Sequence, residues 1–189
     1  LPQGFVNTAW SNLWRNQRIV KDLTKDKIDI FHGLSGEIPL GLKKANIKSI
    51  VTIHDLIFLR HPELYHPIDR WIYKKKFMHA CRTSDRIVAI SECTKNDIVD
   101  LFHIAEDKID VIYQGCHESF KTEKTEDQKK KLRKKLNLPK EFLLNVGTIE
   151  SRKNILPVVQ AIKDIDIPLV IVGKPTGYYQ QIKTYIRQH

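Results

Sequence analysis

Residues 86–102 read RIVAISECTKNDIVDLF, a short apolar run followed by an amphipathic segment. An apolar run rich in Ile and Val is typical of a strand that is buried on both faces of a parallel sheet. Ser91 stands where the run ends, and its hydroxyl can accept a hydrogen bond from a free amide in the first turn of a helix. We therefore interpret Ser91 as a helix cap and the whole segment as one strand-helix unit.

The same alternation recurs along the chain. Further apolar runs predict strands at residues 28–31, 49–53, 109–113, 142–146 and 168–172. Helical patterns lie at about residues 9–24, 67–83, 126–137, 154–163 and 177–187. Each is long enough to connect two parallel strands, so the sequence predicts an α/β fold built on parallel sheets.

Residues 121–136, KTEKTEDQKKKLRKKL, interrupt this alternation with eight basic and three acidic residues, which supply half of the net charge of +10. Such a composition favours a solvated helix or a linker, and a domain boundary is expected near residue 120. Only two predicted strands follow, which is too few for an independently stable sheet. Residues 141–189 therefore either extend the first sheet or begin a second domain.

The composition narrows the class of protein. With 189 residues, 41% hydrophobic and 29% charged, the chain can bury a core. A pI near 9.5 favours anionic partners. Three cysteines without CxxC spacing indicate neither a disulfide framework nor a zinc ribbon, and no apolar run reaches the roughly 18 residues of a membrane span. We expect a cytoplasmic protein, and an opening without Met indicates that its natural start precedes Leu1.

Ligands of parallel α/β sheets bind beyond the carboxyl ends of the strands, so the loops there are candidate sites. His54 and Asp55 directly follow the predicted strand 49–53. The imidazole of His54 can hydrogen-bond a substrate hydroxyl, whereas neighbouring side chains point in different directions and do not form a catalytic dyad. The alternative is that His54 stabilises the loop and Asp55 forms a turn.

A second candidate is NVGTIESRKN, residues 145–154. Gly147 allows a ligand to approach the backbone, and Arg152 and Lys153 precede a predicted helix whose free amides attract anions. This combination suits a diphosphate, and the alternative is a solvated basic helix cap. No glycine motif of a dinucleotide-binding fold or a phosphate-binding loop is present.

Two other segments have open interpretations. His61 and His66 are separated by a proline-containing surface loop, and we assign no metal to them. Residues 68–82 combine large apolar side chains with lysines, which fits either an interfacial helix on acidic lipid or a helix that packs on the sheet.

Five segments follow one another in an order that resembles glycosyltransferase family 4: FHGLSGEIPL, IVTIHDLIFLRHPELY, SDRIVAISECTKNDIVDLF, IDVIYQG and LLNVGTIESRKN. The last is similar to mannosyltransferase-like members. The resemblance implies the GT-B architecture of two Rossmann-like domains facing a cleft. It also implies transfer of a sugar from a nucleotide diphosphate donor with retention and without a metal or other cofactor.

Under this resemblance residues 1–120 are part of the acceptor domain, 121–140 a Lys-rich linker and 141–189 the start of the donor domain. His54 matches the histidine at the reaction centre, and Asp55 and Ser91 fall near the cleft. The implied donor-binding residues are Gly147, Thr148, Arg152 and Lys153. Many members have Arg where this chain has Thr148, and Asn and Asp are common where Gln114 and His117 stand.

Two segments that the family resemblance implies do not occur in this sequence. A glycine-rich loop would precede Leu1, and a pair of glutamates would follow His189. We therefore interpret the chain as an internal piece of a larger enzyme that is inactive alone. The expected donor is a UDP- or GDP-sugar, the acceptor is a glycan or a lipid-linked glycan, and the role is polysaccharide or glycoconjugate synthesis, with peripheral contact at the inner membrane face. Exposed apolar surface on an incomplete sheet further predicts a homodimer.

The competing hypothesis is a non-catalytic α/β module that holds nucleic acid or an acidic membrane through its Lys-rich segment. The sequence has neither aromatic-rich strands nor a recognition-helix pattern, so we expect no specific nucleic acid. A phosphorolytic use of the same fold is a third alternative.

Overall fold

Four parallel strands of the first half of the chain form one sheet in sequence order: β1 Ile30–Gly33, β2 Lys48–Ile53, β3 Arg86–Ala89 and β4 Ile109–Val111. The computed structural model describes residues 14–188. Two further strands, β5 Leu143–Val146 and β6 Leu169–Val172, pair in parallel in a separate sheet. All six overlap the predicted runs, with β1 two residues further along the chain than predicted, and the predicted α/β fold with parallel sheets is confirmed.

Helices follow the strands as the sequence predicts. They are α1 Ile19–Lys25, α2 Ile57–Arg60, α3 Pro67–Thr83, α4 Glu92–Phe102, α5 Glu126–Leu136, α6 Ile155–Ala161 and α7 Tyr178–Gln188. The single turn α2 was not predicted, because four residues are too short for a helical period to show. Within the predicted helix 9–24, residues 14–18 form a π-helical turn before α1, and residues 9–13 lie outside the described residues.

The chain divides into two compact units, Leu1–Gly115 and Cys116–His189. In the first, the sheet and its helices bury a core whose largest fully buried side chains include Ile53, Leu56, Ile87, Ile98 and Phe102. Parallel pairing places the carboxyl ends of all four strands at one edge of this sheet. The loops that begin there are those expected to carry a site.

An aromatic cluster anchors the loop that follows β2. The ring of Phe58, which is buried, makes edge-to-face contacts with Tyr65, Tyr73 and Phe77 at centroid distances of 6.4, 5.8 and 5.3 Å. Such pairs stabilise by about 0.5–1.5 kcal/mol beyond the burial of area. The loop between β2 and α3 is thus held against the body of the first unit.

Helix α3 packs on the sheet through only one of its halves. Ala80 and Cys81 are buried, and Phe77 packs against the core. In the first turns, by contrast, Ile68 and Trp71 are 63% and 58% exposed, and the ammonium of Lys75 lies 4.1 Å from the Trp71 ring centroid. The helix packs on the sheet through its last turns, while membrane contact through its first turns stays a prediction.

The second unit has a smaller core, formed by Ile149, Ile155, Val159 and Ile182. Its two-stranded sheet is incompletely covered, because large apolar residues of both strands are exposed: Leu143, Leu144, Val146 and Val172. Helix α5, which contains most of the Lys-rich stretch, has no buried residue. It is a solvated helix with a complete Thr125 and Gln128 capping box, as its composition predicts.

Candidate functional site

The imidazole of His54 is hydrogen-bonded at both nitrogens, at the carboxyl edge of the first sheet. Its Nε2 lies 2.9 Å from the carbonyl oxygen of Leu34, the residue that follows β1. A carbonyl can only accept, so Nε2 carries the proton and Nδ1 of the neutral ring is an acceptor. The side-chain nitrogen of Gln114, beyond β4, lies 3.4 Å from that Nδ1 and donates to it.

A chain of hydroxyl groups supports the backbone of His54. Thr94, in the first turn of α4, donates its hydroxyl hydrogen to the His54 carbonyl oxygen at 3.0 Å. Because Thr94 has only one hydroxyl hydrogen, Ser91 is the donor in their 3.0 Å contact. The Ser91 oxygen in turn accepts from the Thr94 amide at 3.1 Å, which confirms the predicted helix cap.

Asp55 has a separate, local role. One of its carboxylate oxygens accepts from the amide of Ile57 at 3.2 Å, and the side chain is exposed. No hydrogen bond joins it to His54 in the described part of the chain. The interpretation of Asp55 as a turn residue is confirmed, and its placement near a cleft stays a prediction.

Loops from four strands thus meet around His54: Leu34 after β1, His54 itself after β2, Ser91 after β3 and Gln114 after β4. The arrangement holds a half-buried imidazole with one proton-bearing and one proton-accepting nitrogen. Such a ring can bind a hydroxyl in a defined orientation or accept its proton. Sequence reasoning did not include Gln114 or Thr94 in this site, although Gln114 follows a strand end as His54 does.

In the second unit, two loops approach each other closely at Gly147. The amide of Gly147 donates to the Val172 carbonyl at 2.9 Å, and its φ of 151° favours glycine. A β-carbon on Gly173 would lie 1.7 Å from the Gly147 carbonyl oxygen, whereas one on Gly147 would meet nothing within 4 Å. Gly173 is therefore required for packing, while the space in front of Gly147 is open to a ligand.

The two predicted cations lie on a 3₁₀ turn, Ser151–Lys153, and not on the helix itself. Asn154, with φ of 53°, separates this turn from α6. The guanidinium of Arg152 is paired with Glu150, with Nη2 to Oε1 at 2.7 Å. The ammonium of Lys153 is exposed and forms no ion pair or side-chain hydrogen bond within residues 14–188, so it is the cation that is free to meet an anion.

Helix α6 offers fewer free amides than its sequence predicts. The Leu156 amide donates to the Tyr178 hydroxyl at 3.2 Å, and Pro157 has no amide hydrogen. An anion bound here would therefore depend on side chains and on the open backbone at Gly147 and Thr148. Thr148 itself is partly exposed, and its carbonyl accepts from the Glu150 amide.

Neither a metal cluster nor a membrane span occurs among the residues that the structure describes. No three His, Cys, Asp or Glu side chains are grouped so as to hold a metal ion. His61 instead lies 3.2 Å from a Glu63 carboxylate oxygen on the surface. No helix of residues 14–188 combines the length and apolarity needed to cross a bilayer.

A family model and curated relatives match the sequence of this chain. A family model described as Glycosyltransferase Family 4 matches residues 2–120. O-antigen chain mannosyltransferase B of Escherichia coli is 28% identical over 151 residues, 76% of this chain and 38% of its own length. Serotype-specific mannosyltransferase WbdA of Escherichia coli is 31% identical over 139 residues, 71% of this chain and 17% of its own. The chain thus spans well under half of these curated relatives.

Solved structures resemble this fold at low sequence identity. A glycosyltransferase from Rickettsia africae ESF-5 matches with a TM-score of 0.61 and 17% identity, covering 100% of this chain and 49% of that one. Anabaena Alr3699/HepE in complex with UDP-glucose matches with a TM-score of 0.61 and 16% identity, covering 97% and 55%. The likeness confirms the Rossmann-like, GT-B type of fold.

Proposed function

Because this chain belongs to glycosyltransferase family 4, we propose that it is part of an enzyme that transfers a sugar, with retention, from a nucleotide diphosphate donor to a hydroxyl group. The two Escherichia coli relatives are mannosyltransferases, one of the O-antigen chain, which supports mannose as the sugar and a glycan or lipid-linked glycan as the acceptor. The Anabaena neighbour in complex with UDP-glucose supports a nucleotide-sugar donor. UDP and GDP are the nucleotides to test as the carrier of the donor sugar.

His54 is the proposed catalytic residue of the first unit. Its Nε2–H is fixed on the Leu34 carbonyl, so Nδ1 is the nitrogen that can accept from a hydroxyl of the transferred sugar. The Gln114 contact at 3.4 Å is long for a hydrogen bond and is the one that a sugar hydroxyl would replace. A group held in position before the substrate arrives needs no reorganisation during the reaction.

Lys153 is the proposed principal diphosphate ligand of the second unit. Its exposed ammonium, which has no ion pair within residues 14–188, can stabilise the charge that develops on the departing nucleotide as the glycosidic bond breaks. Arg152 can contribute only if phosphate replaces the Glu150 carboxylate as its partner. Gly147 and Thr148 provide open backbone beside these cations.

One observation carries this proposal. At the carboxyl edge of the sheet, the hydrogen-bond partners of His54 fix Nε2 as the donor and Nδ1 as the acceptor. The test of the proposal is calorimetric titration of the chain with UDP, GDP and their mannose and glucose conjugates. Lys153→Ala should weaken nucleotide diphosphate binding at least about tenfold, because a hydrogen bond to a charged group contributes about 1.5–3 kcal/mol. Lys163→Ala, at another exposed lysine of the second unit, is the matched control.

His54→Ala separates the two contributions. It should leave the affinity for UDP or GDP unchanged and remove only the additional affinity that the sugar provides. A chain that binds no nucleotide diphosphate, or binds it equally well after Lys153→Ala, contradicts the proposed donor site. Equal loss of nucleotide and nucleotide-sugar binding on His54→Ala contradicts the role of His54.

A second candidate function rests on α5. Its residues are all exposed, and only Lys129 of its basic residues forms an ion pair within the described chain. Such a helix fits a module that binds an acidic membrane or nucleic acid by charge alone. It predicts binding that weakens steeply with salt and is abolished when Lys130, Lys131, Lys134 and Lys135 are replaced by Gln, while Lys153→Ala has no effect.

A further inference from the structure

A groove of about 570 Å³ lies in the first unit, between residues 38–44 and the last turns of α3. Apolar side chains of Ile38, Pro39 and Leu42 contribute to its lining, and Ser49 of β2 also lines it. The same groove is lined by His79, Arg82 and Thr83 of α3. None of these residues belongs to the proposed catalytic or donor site.

Four residues with basic side chains line this groove. Lys43 and Lys44 come from one wall, and His79 and Arg82 from the other. Because residues three apart on a helix share a face, His79 and Arg82 are presented together. None of the four forms an ion pair within residues 14–188. Cations in one concavity repel each other and attract a common anion, and apolar walls strengthen that field.

Asp85, which is hydrogen-bonded to the groove residue Ser49, has partners of its own. The Asp85 carboxylate accepts from the amide and the hydroxyl of Ser49, at 2.8 and 3.1 Å, and lies 3.5 Å from the ammonium of Lys48. These contacts, the Ser49 amide first, lower the pKa of Asp85, which keeps it ionised and bound in place. Asp85 therefore leaves the charge of Lys43, Lys44 and Arg82 for a ligand.

The groove is remote from His54. Ser49 stands at the start of β2, and His54 follows its end. Five residues of extended strand span about 16 Å, at about 3.3 Å each. The groove therefore opens at the edge of the sheet opposite to the proposed catalytic edge.

We propose that this groove binds a phosphate ester that carries an apolar chain. Arg82, Lys43 and Lys44 suit the phosphate, because guanidinium and ammonium groups bind it through charge-assisted hydrogen bonds. The walls formed by Ile38, Pro39 and Leu42 suit the chain, because burial of apolar surface is favourable. Neither half of such a ligand alone matches all of the lining.

The test compares three probes by calorimetry at concentrations at which each is monomeric. Octyl phosphate has both the charge and the chain, octyl glucoside has only the chain, and inorganic phosphate has only the charge. We expect octyl phosphate to bind at least about tenfold more tightly than either of the others, because each half contributes. Equal binding of octyl phosphate and inorganic phosphate would overturn the apolar part of the proposal.

Variants locate the site. Arg82→Ala and Lys44→Ala should each weaken octyl phosphate binding about tenfold, and Thr83→Phe should block it by filling the groove. Arg70→Ala is the matched control, because Arg70 stands on the same helix and lines a different groove. Circular dichroism checks that each variant is folded. Unchanged affinity in folded Arg82→Ala and Thr83→Phe variants would overturn the assignment.

Vesicles distinguish the source of the ligand. In one outcome the protein sediments with phosphatidic acid vesicles, the Arg82→Ala variant does not, and the Arg70→Ala variant does. This outcome would identify the ligand as a membrane lipid. Binding of monomeric octyl phosphate without vesicle binding would identify a soluble phosphate ester. Failure of both probes would overturn the proposal and leave the proposed glycosyl transfer untouched, because that function rests on His54 and Lys153.

Discussion

The side-chain nitrogen of Gln114 lies 3.4 Å from Nδ1 of His54, although the two residues are 60 positions apart. The sheet order brings them together, because β2, β3 and β4 are parallel neighbours in that order and end at the same edge. With Nε2–H fixed on the Leu34 carbonyl, Nδ1 is the nitrogen to which Gln114 donates. Gln114 thus occupies the accepting nitrogen of the proposed catalytic histidine until a ligand replaces it.

Replacement of Gln114 by Leu tests this relation. The variant should keep the Nε2–H tautomer, because Leu34 still accepts from it, while Nδ1 loses its donor and its ¹⁵N resonance shifts. Long-range ¹H–¹⁵N spectra of the imidazole measure both properties. Gln160→Leu, at an exposed position of the second unit, should change neither. A wild-type His54 in the Nδ1–H form would show that the assigned hydrogen bonds are wrong.

Ser91 provides a second prediction. Ser91→Ala removes the cap of α4 and the donor to Thr94, and it should destabilise the first unit by about 1 kcal/mol. Ser91→Asp, which retains a capping oxygen, should restore most of that loss. Urea unfolding followed by tryptophan fluorescence reports on this unit, because Trp10, Trp14 and Trp71 all precede residue 116.

Nucleotide binding distinguishes a cap from a substrate contact at Ser91. If capping is its whole role, the folded Ser91→Ala variant binds UDP- or GDP-sugars as the wild type does. A loss of sugar-dependent affinity that Ser91→Asp does not restore would instead place Ser91 in contact with the ligand.

Local patterns predicted the strands, the Ser91 cap and the Asp55 turn, because each depends on neighbours within a few residues. The contact between Gln114 and His54 depends on the order of strands in the sheet, which no local period contains. The 3₁₀ turn at Arg152 and its pairing with Glu150 are local features and were missed for a different reason. A helical pattern does not show where the regular helix begins when Pro157 stands in its first turn.

The three cysteines differ in exposure, which gives a third prediction. Burial raises the pKa of the Cys81 thiol to about 12, against the weaker opposing effect of Lys108, whereas Cys93 and Cys116 are exposed. Since the thiolate is the reactive form, a thiol reagent at pH 8 should modify Cys93 and Cys116 in the folded protein and Cys81 only after unfolding. Mass spectrometry counts the labels, and rapid labelling of Cys81 without denaturant would contradict its burial.

The lowered pKa of Asp85 makes the stability of the first unit depend on pH. The amide and hydroxyl of Ser49 and the ammonium of Lys48 lower the pKa of this carboxyl in the folded state. A carboxyl with a lowered folded pKa contributes stability above its ordinary pKa of about 3.9, and loses it as the pH falls through the lower folded value. Asp85→Asn should therefore reduce the urea midpoint of the first unit at pH 7.

The reduction should shrink as the pH falls below about 4, because the unfolded carboxyl then binds protons, and it should vanish once the folded carboxyl is protonated as well. Midpoints of tryptophan fluorescence at pH 7, 5 and 3 measure it. Asp166→Asn, at an exposed position without an ion pair in the described chain, should leave the midpoint unchanged at each pH. If the difference in urea midpoint between the wild type and Asp85→Asn is as large at pH 3 as at pH 7, the prediction is wrong. Asp85 would then stabilise the fold through its shape and not through its charge.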